Sequence, residues 1–249
     1  MIKLGKLTLN GIPRVAVSIK DSVAKNVIKD IEKYGVDIIE LRIDQYASFQ
    51  KEHVLDEVKK FKHFPTIATI RCRQEGGSWH KSEDERLELF KAVIPHVHAI
   101  DIELSSMQIL PAVIKEAHRA KKIVIISYHN FDKTPDIGKL KKVFKKSKKF
   151  GADIVKIATL ILKPQDMQQL AAFTIANAYQ NIVTIGMGSF GANTRVLFPG
   201  LGSLITYAYI GEPAAPGQFD YRTTFDLMRK LYPKYNEAKI SSRALLKAV

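Results

Sequence analysis

The chain has 249 residues, 46% hydrophobic and 26% charged, enough to bury a full core and close to the usual size of one α/β barrel domain. Its single cysteine, Cys72, excludes an internal disulfide and a cysteine-built zinc cluster, and fits a reducing, cytoplasmic setting. No apolar run approaches the roughly 20 residues of a membrane span, and the start lacks the charged-then-apolar layout of a signal peptide, so a protein with no membrane partner is expected.

From the N-terminus, KLTLNGIPRVAVSI sets Asn10-Gly11 between two apolar runs, a hairpin signal that suits a small lid closing the bottom of a barrel. Strand candidates then follow at 13–19, 36–43, 66–72, 97–104, 122–128, 152–158, 181–186 and 203–208, with amphipathic segments between them. This alternation predicts an α/β fold, a (β/α)8 TIM barrel, with residues 1–249 as one catalytic domain. The segment 82–94 opens with Ser82 and has Glu85 three residues on, a capping-box start for a helix. In 139–150, Leu140, Val143, Phe144 and Ser147 recur at helical spacing while lysines fill the other face. Much of the net charge of +14 lies there. Without interleaved aromatics or arginines it reads as a solvated helix face and not a nucleic-acid site.

Alternation within the strands separates two faces. Ile39, Leu41 and Ile43 oppose Glu40, Arg42 and Asp44, and Ile100, Ile102 and Leu104 oppose Asp101 and Glu103. In a barrel the apolar set packs outward on the helices, so the polar set must point to the axis and gather near one open end. Lys156, inside ADIVKIA, shares the parity of Ile154 and Ala158 and belongs to that interior. An ammonium there is paired, exposed at the strand's end, or stripped of its proton and able to attack a carbonyl. His129 follows the fifth strand directly, as a capping residue or a proton carrier. Glu40 and Arg42 read equally as an interior ion pair or as substrate contacts. With the arginines at 42, 71 and 195, these are the parts for imine chemistry on an anionic carbonyl compound. GMGSFG, 186–191, spells a dinucleotide fingerprint with Glu212 about 20 residues after it, yet comes at the seventh of eight strands with no sheet left to follow. A phosphate cradle, or a loop that positions Arg195, suits it better.

Six ordered pieces, ELRIDQY (40–46), TIRCRQEGG (69–77), SYHNFDKTP (127–135), ADIVKIA (152–158), GMGSFGANTR (186–195) and AAPGQ (214–218), resemble the signatures of type I 3-dehydroquinate dehydratases. The resemblance runs from about residue 13 to 220. It implies a cytoplasmic homodimer of the shikimate pathway that needs no metal or cofactor and eliminates water from 3-dehydroquinate through a lysine imine. It makes Lys156 the imine-forming residue, His129 the acid and base, and Glu75 the carboxylate that orients His129. Arg195 would hold the substrate carboxylate, Glu40, Arg42 and Arg71 the ring hydroxyls, and Gln218 would lie on a closing loop. Three departures stand out: Ala214 where the family usually has serine, Gly186 in place of a serine, and Asn130 where aspartate is frequent. A class I aldolase using the same lysine on the same barrel is the alternative, and a requirement for a phosphorylated substrate would distinguish it.

Overall fold

The computed structural model describes residues 2–213 and 215–247. After a two-stranded hairpin, β1 (Lys3–Leu4) and β2 (Leu7–Thr8), the chain lays down β3 (Arg14–Ile19), β4 (Ile38–Arg42), β5 (Thr66–Thr69), β6 (Ala99–Glu103), β7 (Ile123–Asn130), β8 (Ile154–Leu160), β9 (Ile182–Met187) and β10 (Ile205–Tyr209). These eight form one parallel sheet in the order β10-β3-β4-β5-β6-β7-β8-β9. The ends of that order meet where the Leu204 N–H donates to the Ile182 carbonyl and the Thr184 N–H to Ser203 Oγ, both at 3.0 Å, nearly closing a TIM barrel.

Between the strands run α1 (Lys25–Tyr34), α2 (Lys51–Lys59), α3 (Glu83–Val93), α4 (Leu110–Arg119), α5 (Ile137–Lys149), α6 (Pro164–Ala176) and the short α7 (Thr194–Leu197); α8 (Tyr221–Leu231) and α9 (Pro233–Lys247) follow β10. The expected capping box opens α3: Ser82 Oγ accepts the Glu85 N–H at 3.2 Å and the Ser82 N–H donates to Glu85 at 3.1 Å. α5 buries Leu140, Val143, Phe144 and Ser147 and leaves most of its lysines to solvent, as its periodicity implied.

The parity argument holds strand by strand. Ile39, Leu41, Ile100, Ile102, Val155 and Ile157 pack outward with the helices. Inward, each strand contributes one residue to an apolar lower layer: Ala16, Ile38, Ile67, Ala99, Ile125, Ile154, Val183 and Ile205. Leu4 and Leu9, both fully buried, plug that layer from below. The lid is therefore real, but its turn is not at Asn10-Gly11. The pairing Leu4↔Leu7 puts the reversal at Gly5-Lys6, where Gly5 supplies a φ of +59°. Asn10 instead anchors the hairpin: its Oδ1 accepts the Ile2 N–H at 2.7 Å, and its Nδ2 donates to Asn181 at 3.3 Å. One layer above, the inward positions turn polar, and the site begins.

Because Leu9 fills the bottom of the barrel, away from the polar end, Leu9→Ala is expected to cost about 2–5 kcal/mol in urea unfolding while leaving KM within twofold. An unchanged unfolding midpoint would show that the plug contributes nothing.

Candidate active site

The upper interior is assembled from charged residues that must find partners away from water. Lys156, in the middle of β8, is 5% exposed; its Nζ donates to Asp101 at 2.9 Å, lies 3.5 Å from Glu40, and sits 4.1 Å from the centre of the Tyr207 ring. Of the three states open to a lysine in this strand, the structure shows the paired one. Glu40 on β4 also accepts from Ser18 and, at 3.0 Å, from Thr69. Burial opposes ionisation of both carboxyls, but neighbouring cations outweigh it. Lys156 and Arg42 hold Glu40 below its usual range, and Arg71 and Lys156 hold Asp101 far below.

Arg71, just past the end of β5, donates to Asp101 at 2.8 Å, to Glu103 at 3.0 Å and to Ser127 at 2.6 Å. Arg42 forms a two-point pair with Asp44, at 3.0 and 2.9 Å. Both arginines line the cleft as the sequence suggested, and both are already committed to carboxylates. The EGG of the second motif has a steric basis. A Cβ on Gly77 would stand 2.1 Å from the Arg71 carbonyl oxygen, and one on Gly76, at a φ of +77°, would strike the Phe131 ring at 2.4 Å.

His129 lies within β7 and does not merely follow it, because pairing with β8 continues through His129↔Ala158 and Asn130↔Thr159. Glu75, in the turn after Arg71, accepts both the His129 backbone N–H at 2.8 Å and Nδ1 at 2.9 Å; its other oxygen takes the Ser105 hydroxyl. Burial pushes the Glu75 carboxyl up to about 7. Burial, then Arg71 and Lys156, push His129 well below the usual imidazole range. The ring is thus neutral at neutral pH, with Nδ1–H held by the carboxylate and Nε2 left with its lone pair.

Arg195 on α7 differs from the other two arginines. It is 3% exposed and donates only to main-chain carbonyls: Gly217 at 2.9 Å, Pro216 at 3.2 Å and Tyr207 at 3.4 Å. No salt bridge to it exists among the described residues, and burial pulls its pKa down to about 10. A buried cation without a counter-charge among the described residues has the chemistry to take up an anion. The GMGSFG loop leads into α7 through a short 3-10 turn, Ser189–Gly191, and its Gly188 N–H bonds Pro216, so it joins Arg195 to the segment bearing Gln218. The helix that follows has only four residues, too short for a dinucleotide fold. Gln218 accepts the Ala215 N–H at 3.2 Å and faces the cleft; Ala214 lies outside the described residues.

All eight residues proposed from the sequence therefore line one cleft of about 510 Å3: Lys156, His129, Glu75, Glu40, Arg42, Arg71, Arg195 and Gln218. Sequence reasoning left out Asp101, although AIDIEL marked it as inward-facing. It also left out Tyr207, Ser18 and Phe131, whose types alone carry no signal of a site. Among the described residues, no group of three His, Cys, Asp or Glu side chains is arranged to hold a metal ion.

The family model for type I 3-dehydroquinase matches residues 15–233. A 3-dehydroquinate dehydratase of Thermodesulfovibrio yellowstonii is 36% identical over 85% of this chain and 92% of its own. The 3-dehydroquinate dehydratase structure from Aquifex aeolicus superposes with a TM-score of 0.79 at 31% identity, covering 88% of this chain and 99% of that one. A type I enzyme from Clostridium difficile, solved with covalent modified comenic acid, has a TM-score of 0.81 at 26% identity, covering 90% and 94%.

The Glu75–His129 pair sets a titration. A carboxyl of the unliganded protein is expected to titrate near pH 7 in carbon-13 NMR and to vanish in Glu75→Gln, while the His129 ring charges only well below the ordinary imidazole range. A His129 ring that charges near 6.5 would contradict the desolvated geometry.

Proposed function

The chain belongs to the type I 3-dehydroquinase family and is a hydro-lyase acting on 3-dehydroquinate, and from that premise we propose that Lys156 and His129 carry the elimination through an imine. The amine of Lys156 adds to the C3 ketone, and loss of water from the adduct leaves a protonated imine. That cation draws electrons from the adjacent C2–H bond. Nε2 of His129 takes the C2 proton, and the resulting imidazolium returns it to the C1 hydroxyl as it leaves as water; hydrolysis of the imine then frees 3-dehydroshikimate and the lysine. Glu75 fixes the ring so that Nε2 is the basic nitrogen, and it stabilises the imidazolium while the proton is carried. Its carboxyl near 7 means that the competent form accumulates as pH rises through neutrality.

The observation that carries this reading is the buried, paired Lys156 in the same cleft as a neutral, carboxylate-held His129. Arg195 supports a carboxylate substrate, since a planar anion can take the guanidinium that only main-chain carbonyls now satisfy. Arg42, Arg71 and Glu40 shape the ring-hydroxyl side, with Arg71 acting chiefly through its two carboxylates, and Gln218 closes over the mouth. The relatives that match most of the chain are dehydratases, which sets the aldolase alternative aside. The same reading makes the enzyme a cytoplasmic homodimer of the shikimate pathway, one catalytic domain per chain and no cofactor. The lone, buried Cys72 suits the reducing compartment of that reading, and among the described residues no helix is long and apolar enough to cross a membrane.

Lys156→Ala is expected to abolish both turnover and borohydride trapping of 3-dehydroquinate without unfolding the protein. His129→Ala should still form the imine but eliminate roughly 10²–10⁴-fold more slowly. Its trapped adduct should then be heavier by one water than the wild-type adduct. Normal turnover in either variant would overturn the assignment.

A further inference from the structure

Behind the reactive amine lies a run of side chains of which the mechanism above gives a part only to Arg71. Asp101 is fully buried and does not line the cleft, so substrate cannot reach it, yet it makes the closest contact to Lys156 Nζ, at 2.9 Å. Its other oxygen is taken by Arg71 at 2.8 Å and Ser127 at 2.6 Å. Arg71 passes to Glu103, which bonds Arg86, and Arg86 is fully buried although it belongs to α3 in the outer helical ring. Arg86 is held further by the Ile70 carbonyl at 2.8 Å and Ser106 at 3.0 Å. Charge alternates along the whole run: Arg86, Glu103, Arg71, Asp101, Lys156.

We infer that Asp101 is the catalytic counter-charge that keeps the imine nitrogen cationic, and that Arg86, a positioning residue outside the cleft, sets its strength through Glu103 and Arg71. The inference rests on the imine reading. A nitrogen that becomes a protonated imine keeps its positive charge, and the anion behind it keeps it protonated while C2–H is broken. An anion that is too strong, however, would hold the free lysine as an ammonium, which cannot attack. Arg71 shares the charge of Asp101 and moderates it. Glu103 draws on Arg71 from the other side, and Arg86 limits how strongly Glu103 does so. Removing the charge of Arg86 leaves Glu103 to compete harder for Arg71, and Asp101 then holds Lys156 more tightly. The direct Coulomb effect of losing a cation has the same sign.

The other groups facing Lys156 act in parallel. Glu40 and Arg42 come from β4, Glu75 from the turn after Arg71, His129 from β7, Tyr207 from β10 and Arg195 from α7. None of them contacts Arg86, whose other charged partner is Glu83 of its own helix, at 3.2 Å, so a variant at 86 reaches Lys156 through the run.

The test is borohydride trapping of 3-dehydroquinate across pH, with kcat and KM, in wild type, Arg86→Met, Arg86→Lys and Asp101→Asn. Arg86→Met should move the rising limb of trapping rate against pH about half a unit to the alkaline side. Arg86→Lys, which keeps the charge, should restore it. Asp101→Asn should move the limb about one unit or more the other way and yet lower kcat at least roughly tenfold with little change in KM. A merely structural run would instead lower the melting temperature of both Arg86 variants and leave their limbs superposed on wild type, which overturns the inference. Should Asp101→Asn fail to fold, the contrast between the two Arg86 variants decides the matter. Absence of any wild-type adduct would remove the imine reading and this inference together, whereas a wild-type adduct with unmoved limbs would remove this inference alone.

Discussion

The structure is organised by one requirement: an ion that the β-strands carry into the barrel has to meet an opposite charge. The contact between Lys156 and Asp101 meets that requirement for the buried amine. Its consequence spreads, because Asp101 needs more than one donor and Arg71 more than one acceptor. A single functional lysine thus recruits carboxylates from β4 and β6, an arginine from the end of β5 and a hydroxyl from β7. The desolvation cost is offset as the lone pairs and protons of such a group find partners, and Ser18, Thr69 and Ser127 supply several of them at the same level.

Height along the barrel axis divides the labour. One layer lower, the same inward parity carries eight aliphatic side chains with Leu4 and Leu9 beneath them, and a charge there would have no partner. Lys156 is two residues above Ile154, the first polar position over that floor. Its chain therefore rises through apolar surroundings and releases its head where carboxylates begin. The amine is packed from below and opens to the cleft above.

Much of this arrangement was legible in the chain itself. A period-2 pattern in strands such as VDIIELRI and VHAIDIEL separates the barrel's two faces without any knowledge of neighbours, and it placed Glu40, Arg42 and Lys156 on the inner one. What it does not carry is distance across the barrel. Asp101 was visibly inward, but that it touches Lys156, two strands away, depends on shear and tilt that no local pattern encodes. The role of Arg86 was hidden for a related reason: on α3 it reads as an ordinary helix-surface arginine, and only the packing of α3 over β5 and β6 buries it. The two boundary errors were local ones. Asn10-Gly11 had the composition of a hairpin turn, yet Gly5 made the turn. His129 lay one residue beyond the expected end of a strand that was extended by its partner.

The way Arg195 is held bears on how such a site can drift over generations. Its guanidinium is fixed by the carbonyl oxygens of Tyr207, Pro216 and Gly217, atoms that every amino acid possesses. Selection on the arginine's placement therefore acts on the path of the backbone and not on the side chains that decorate it. Gly217 is the exception, since at a φ of +74° a side chain there would run into the Gly188 carbonyl, but elsewhere the side chains are not what holds the guanidinium. A change of side chain beside these carbonyls would therefore leave the guanidinium in place, whereas a change in the path of the backbone would not.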